Sequence, residues 1–441
     1  MERRTFVATL AAAGSAAGSP RLAIDGGTPV RAAPLRGDYW GPLHFDQAER
    51  SQVTEVVDTG MPFRFSGRAG RTPTKVADFE KAFAARMQTR FALAVSSGTG
   101  ALETAVAALG IGPGDEVIVP AWTWHSTATA VIRCGALPVF AEIDDSFNLD
   151  PGDIEPRLTR QTRAIMVAHL QNNVADLEPI LALARKRGLR VIEDCAQCVG
   201  GSYRGKPLGS LGDIGIYSHQ ASKTITSGEG GALVTSDPAL FERACRFHDV
   251  GNLAPVHREW LGQAAGSPMV GANFRMSEFA GGVMLAQLRK LDRIIAAVRA
   301  NAQLVYDGLG DLPGIQWRRR PDPDGDLAAP VFFAFATKAQ RDRFLEAMKA
   351  ENVPAAAPGG SVVLPVQPYI EKKIAHHPAW PTWTTPRGKA IRYGATSCPR
   401  TLAILGRYAG VAVGPKYSRQ EVDDIVAAVR KVYPVIAGAA G

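Results

Sequence analysis

From residue 75 to residue 196 the chain alternates between two kinds of short segment, and this alternation restricts its fold more than any other feature. "VADFEKAFAARM" carries apolar residues at helical spacing, and "FALAVSS" reads as a strand. Next come "GTGALETAVAALG" as helix, "DEVIVP" as strand, "HSTATAVIRCG" as helix and "LPVFAEID" as strand. "AIMVAHL" is a further strand, "LEPILALARKRG" a helix and "RVIEDCA" a strand. Glycines stand where a left-handed residue closes the last turn of each helix. Strands joined through helices pair in parallel, so the pattern predicts an α/β fold, a mostly parallel sheet with helices on both faces.

The 441 residues suffice for two or three packed units. "MSEFAGGVMLAQLRKLDRIIAAVRANAQLVYDGL" predicts a long helical stretch joining a large unit to a smaller C-terminal one. In the smaller unit "PVFFAFAT" reads as a strand, "KAQRDRFLEAMKAEN" as a helix, and "SRQEVDDIVAAVRKVY" as a helix opened by a capping box of Ser418 and Glu421. The expected divisions are 23–300 for an N-terminal arm with the large unit and 301–441 for the small one. The arm is rich in Gly, Pro and Arg, with one short helix near residues 45–59. The segment from "PAAAPGGSVV" to "TTPRG" has little periodicity, and so long a loop in a compact domain is functional or mobile.

The formal charge is +8, yet no basic block is long enough or interleaved with aromatics as nucleic-acid binding requires. A mild positive balance suits anionic small molecules instead. The five cysteines are odd in number and scattered, which argues against a disulfide framework. Cys195-x-x-Cys198 has metal or redox spacing but no second pair, so no metal is expected. Arg3 and Arg4 precede a short Ala- and Gly-rich run, with small residues near Ala16 and Ala17. Residues 1–22 therefore read as a twin-arginine export signal to the periplasm, the alternative being a plain tail on a cytoplasmic protein. No stretch is apolar and long enough to span a membrane.

Three stretches carry the chemistry. "SSGTGAL", residues 96–102, joins a strand to a helix. Free N–H groups and the positive helix end make such a turn an anion site, and Gly98 and Thr99 allow close approach and add a hydroxyl. "VIEDCAQ" puts Asp194 at a strand's carboxyl end, where open α/β sheets bind ligands. "YSHQASKTITSGEGG" sets Lys223 on a glycine-flanked loop 29 residues after Asp194, one β-α-β-scale step. Singly, these are a βα turn, a helix cap and a solvated cation. Together they supply a phosphate cradle, a carboxylate for a pyridine nitrogen and an amine for an aldehyde, which are the needs of pyridoxal 5'-phosphate. "PAWTWHSTATA" adds Trp122 and Trp124, one for the core and one as a stacking platform.

With "GPGDEVIVPAWTW" and "GANFRMSEFAGGVMLAQLRKLD", these motifs stand in an order that resembles the DegT/StrS-type sugar aminotransferases, from about residue 23 to the last helix. The resemblance implies a fold-type I pyridoxal phosphate enzyme, its large domain built on a seven-stranded, mostly parallel sheet, with a smaller α+β domain after it. It also implies an amino donor, glutamate or glutamine, a keto-sugar or keto-cyclitol acceptor, and a homodimer with shared sites. In that reading Lys223 is the Schiff-base lysine and Asp194 pairs with the ring nitrogen. Gln197 approaches the ring's 3-oxygen and Trp124 stacks on the ring. Gly98, Thr99 and Ser218 contact the phosphate, as does Asn273 from the neighbouring subunit. Gln171 and Asn172 stand where the family often has an aromatic and a glycine, and Gly414 and Pro415 where cyclitol relatives carry two histidines. Elimination or epimerisation with the same cofactor, and a binding protein on a retired fold, are the rival readings. His125, His219 and Arg64 are weaker candidates, with packing, capping and surface roles as their plainer readings, and Arg318–Arg319–Arg320 reads as a solvated face.

Overall fold

The computed structural model describes residues 21–66 and 71–438, and the export-signal reading of Arg3 and Arg4 lies outside them. Seven strands form the main sheet: β1 Phe91–Val95, β2 Glu116–Pro120, β3 Leu137–Ala141, β4 Thr162–Ala168, β5 Arg190–Asp194, β6 Ile214–Ser218 and β7 Gly231–Thr235. Their spatial order is β1-β7-β6-β5-β4-β2-β3. All neighbours pair in parallel except β7, which runs antiparallel to both β1 and β6.

The strands are apolar throughout because both faces are covered. In β1, Phe91, Leu93 and Val95 enter one core and Ala92 and Ala94 the other, as a period of two requires. Helices Gly98–Ala108, His125–Arg133 and Leu177–Arg187 stand where the periodicity puts them. Gly188, after the last of these, takes a φ of 65°, the left-handed conformation that closes a helix.

Two connections differ from the expected pattern. No helix joins β5 to β6; the buried carboxylate of Glu193 organises the turns there, accepting from the N–H groups of Gly209, Leu211 and Gly212 at 2.9, 2.8 and 2.6 Å. Nor is the stretch after Met276 one helix. It divides into Glu278–Leu288 and Leu291–Leu309, and at the break Lys290 turns inward to donate to Glu49 and to the His44 carbonyl, each at 2.7 Å.

The second helix spans both units. Leu291, Ile294 and Ile295 belong to the large core, and Val298, Ala302, Val305 and Leu309 to the small one. In the small unit Gln316–Trp317, Val331–Ala334, Tyr408–Val411 and Ala355–Ala356 form an antiparallel sheet covered by helices Lys338–Ala350 and Arg419–Ala437. Ser418 and Glu421 form the capping box of the last helix. The arm starts on this unit, with Leu22 and Leu35 in its core, and then crosses to the large one, where helix Gln47–Thr59 follows its Asp46 cap.

The aperiodic segment is ordered by strand pairing and side-chain ties to the large unit. Val362–Val363 pairs with Trp122–Thr123, the Trp380 indole donates to the Ile132 carbonyl at 2.7 Å, and the Tyr393 hydroxyl donates to the Pro138 carbonyl at 2.8 Å. Among the described residues no helix is long and apolar enough to cross a membrane.

Candidate active site

The antiparallel setting of β7 places the site. The loop between β6 and β7 returns at the carboxyl end of β6, so Lys223 stands at the same edge of the sheet as Asp194, the last residue of β5. The turn after β1 reaches that edge too, because β1 lies beside β7 and points the same way as β6. The approach is close. A Cβ on Gly98 would lie 2.7 Å from the Cβ of Ser218, and one on Gly231 only 2.4 Å from the Ser97 carbonyl oxygen. Only glycine at these two positions lets the turn sit against β6 and β7.

Gly98, Thr99, Trp124, Asp194, Gln197, Ser218 and Lys223 line one cavity of about 590 Å³. Asn273 does not line it; its side chain is exposed, and its backbone is bridged to Asp249. Residues given no role from the sequence complete the walls, among them Tyr39, Ser126, Thr127 and His169.

Asp194 is 6% exposed. Its carboxylate accepts from the Thr127 hydroxyl at 2.9 Å and from the Ala196 N–H at 3.1 Å, and neither partner is charged. Burial raises its pKa, opposed by these two bonds and, more weakly, by Lys223 and His169. A carboxylate so placed calls for a cation in the cavity. Burial lowers the pKa of Lys223, against the pull of Asp194 and Glu229, and so favours the neutral amine.

The anion cradle stands at the start of helix Gly98–Ala108. The Ser97 hydroxyl caps it by accepting from the Gly100 N–H at 3.0 Å, leaving the first N–H groups of the helix aimed at the cavity end. The Thr99 and Ser126 hydroxyls are 2.7 Å apart. Gln197 donates to the Ser361 hydroxyl at 2.9 Å and accepts from the Gln171 N–H at 3.3 Å, so the aperiodic segment roofs this side. Gln171 and Asn172 have φ of 53° and 57°, left-handed values that turn the chain under that roof. Trp124 lines the same cavity, 51% exposed. Amine, buried carboxylate, anion cradle and aromatic wall fit a phosphorylated pyridine aldehyde.

The weaker candidates take other places. His125 bonds the Tyr369 hydroxyl through Nδ1 at 2.6 Å, and His219 is packed edge-on against Phe79 and Phe83, where burial lowers its pKa to about 3. Arg64 is not a surface residue. It is 5% exposed and pairs with Glu80 at 2.6 Å. The arginine run is not a solvated face either: Arg318 is 3% exposed and donates to the Gln171 carbonyl at 3.1 Å, Arg319 pairs with Asp145 at 2.8 Å, and Arg320 donates to Asp326 at 2.6 Å. His169, Glu193 and Cys195 lie close together, but both Glu193 oxygens already serve backbone N–H groups, and burial pushes the Cys195 thiol up.

Sequence reasoning missed Thr127, Ser126 and His169. Thr127 and Ser126 lie in the first turn of helix His125–Arg133, where hydroxyls are common for capping alone. Only the placement of that turn beside β5 shows their use.

Residues 49–430 match the DegT/DnrJ/EryC1/StrS aminotransferase family. Among curated relatives, GDP-perosamine synthase of Caulobacter vibrioides is 42% identical over 253 residues, 57% of this chain and 64% of that protein. The chain thus spans just under two thirds of that relative's length. L-glutamine:2-deoxy-scyllo-inosose aminotransferase of Streptomyces kanamyceticus is 38% identical over 301 residues, 67% of this chain and 69% of that protein. Among solved structures, an aminotransferase from Psychrobacter cryohalolentis superposes with a TM-score of 0.76 at 27% identity, covering 91% of this chain and all of that one.

Proposed function

The chain belongs to the DegT/DnrJ/EryC1/StrS aminotransferase family, and from that premise we propose that it transfers an amino group from glutamate or glutamine to the carbonyl of a sugar or cyclitol, with pyridoxal 5'-phosphate as cofactor. One observation carries the reading: a buried carboxylate without a charged bonding partner and a half-buried lysine face each other's cavity beside a helix N-terminus. When bound, the cofactor supplies an aldehyde that takes up the amino group and a ring that holds the electrons released at the neighbouring carbon.

The rest is done by side chains of this chain. Asp194, held in place by Thr127 and the Ala196 N–H, would pair with the ring nitrogen and keep it protonated. Gly98, Thr99 and Ser218 would hold the phosphate, Gln197 the ring's 3-oxygen, and Trp124 the ring face. Lys223 would be the amine that holds the aldehyde. Its Nζ, when free, would take the proton from the donor's α-carbon and be the acid that gives it back. Its depressed pKa suits that use, because a neutral amine is needed for both tasks.

The acceptor class rests on the relatives' names, one of which specifies L-glutamine and 2-deoxy-scyllo-inosose. The assembly we propose is a homodimer in which Asn273 serves the partner's phosphate site.

Borohydride reduction of the loaded protein should fix the cofactor to the peptide containing Lys223. Lys223→Ala should fold, by circular dichroism, and lose the colour change that glutamine causes in the wild type. Labelling of another lysine, or an undiminished colour change in Lys223→Ala, refutes the assignment.

A further inference from the structure

Tyr39 lines the cavity and yet is 61% exposed, and among the described residues no hydrogen bond or motif accounts for it. Its position is fixed from both sides. Trp40, the next residue, packs against the cores of both units and anchors the arm inward. One residue later the Gly41 N–H donates to the carbonyl of Lys223 at 3.2 Å. A Cβ at Gly41 would come within 2.7 Å of the Thr226 methyl and 2.9 Å of the Lys223 oxygen, so the arm lies directly on the lysine's turn. The Tyr417 hydroxyl donates to the Arg36 carbonyl at 2.9 Å and Lys290 to that of His44 at 2.7 Å, tying down both ends. An arm held this tightly presents Tyr39 to the cavity in a set place.

We infer that Tyr39 is a substrate-contacting residue for the acceptor: its ring stacks on the C–H face of the sugar or cyclitol, and its hydroxyl bonds a ring hydroxyl. This rests on the aminotransferase reading above. The chemistry follows from the two aromatic residues. Tyr39 and Trp124 both line the cavity, and the arm that carries Tyr39 lies on the Lys223 turn, so a ringed polyol entering towards Lys223 meets an aromatic face with a polar tip. The amino donor, short and unringed, has no use for such a platform.

The two half-reactions separate the claims. Cofactor absorbance after L-glutamine alone reads the donor half. The same signal after 2-deoxy-scyllo-inosose, or after GDP-4-keto-6-deoxymannose, reads the acceptor half. Tyr39→Ala should leave the donor half within about two-fold and raise the KM of whichever acceptor reacts by about ten-fold or more, the loss of a stacked ring and a hydrogen bond. Tyr39→Phe should recover part of that rise. A second readout needs no turnover: tetranitromethane should nitrate the exposed Tyr39, and acceptor, but not glutamine, should slow it. An unchanged acceptor KM in Tyr39→Ala, or an equal fall in both halves, overturns the assignment. A wild-type donor half with neither ketone reacting or protecting Tyr39 overturns the acceptor class and this role together, while the aminotransferase reading stands. A wild type without a donor half overturns that reading itself.

Discussion

At the scale of single residues, Asp194 shows how a site can be held at the expense of stability. Its folded pKa is raised by burial, so the folded state holds its proton more tightly than the unfolded chain does. Stability therefore falls as pH rises from the ordinary carboxylate range through that raised value, and the deficit persists above it. In cofactor-stripped protein at neutral pH, Asp194→Asn should raise the melting temperature by a few degrees, corresponding to about 1 kcal/mol. The new amide can donate to the Thr127 hydroxyl, which both donates and accepts, so the pocket stays bonded. The same variant should lose at least about 100-fold in turnover, since the ring nitrogen loses its anion. An unchanged or lower melting temperature would show that Asp194 is already stabilised in the empty pocket. Asp194 and Lys223 were legible in sequence because a strand-end acid and a lysine between polar and glycine runs are uncommon together. Thr127 was not, because its role depends on a neighbour 67 positions away. Tyr39 was invisible for the same reason, lying in an arm without periodicity.

At the scale of elements, helix Lys75–Arg86 is joined to the segment before it and to β1 by one buried ion pair. Arg64 bonds Glu80 at 2.6 Å and the Ala94 carbonyl at 3.0 Å, while Glu80 also accepts from the Ala94 N–H at 2.8 Å. Burial works to raise the Glu80 pKa, but Arg64 and His257 overcome it and hold the carboxyl at about 2. The sign is that of a depressed acid. The pair's contribution is complete above the usual carboxylate value and is lost as pH falls towards 2. Arg64→Met should cost about 3–5 kcal/mol by urea denaturation at pH 7, because it strands a buried charge. Arg64→Met with Glu80→Leu should cost much less, since no charge is then left unpaired. Equal losses in the single and double variants would mean that the arginine acts through packing alone. The helices and strands themselves were readable because apolar spacing is local, and the boundaries of helix Gly98–Ala108 fall within two residues of the expected ones. What escaped was long-range. The inward turn of Lys290 to Glu49 crosses 241 positions, and the ordering of the aperiodic segment depends on carbonyls of the large unit.

At the scale of the whole molecule, the cavity is built by one chain on several sides, yet Trp124 and Tyr39 at its mouth are half-exposed or more, and Asn273 is exposed and away from it. A symmetric pair in which each copy lends Asn273 to the other's phosphate cradle would complete the site and leave the mouth open to substrate, and two-fold pairs are the commonest assembly. The proposal has a decisive consequence when two defective subunits are mixed. Take Lys223→Ala and Asn273→Ala, each purified as a dimer and then allowed to exchange. If Asn273 acts across the interface, one site of a mixed dimer carries both defects. The other takes its lysine from the second subunit and its asparagine from the first, and is fully wild type. Random exchange makes about half of the dimers mixed, with one of two sites intact, so activity should rise to about a quarter of the wild-type value. Asn273→Ala alone must first be shown to weaken cofactor binding, as loss of a hydrogen bond to a charged oxygen, worth about 1.5–3 kcal/mol, predicts. If Asn273 instead serves its own subunit, every site of the mixed dimer keeps one defect, and activity stays at the mean of the two parents. Native mass spectrometry confirms that mixed dimers have formed. Mixed dimers without recovered activity refute the shared site, and a wild-type protein that is monomeric in native mass spectrometry refutes the assembly.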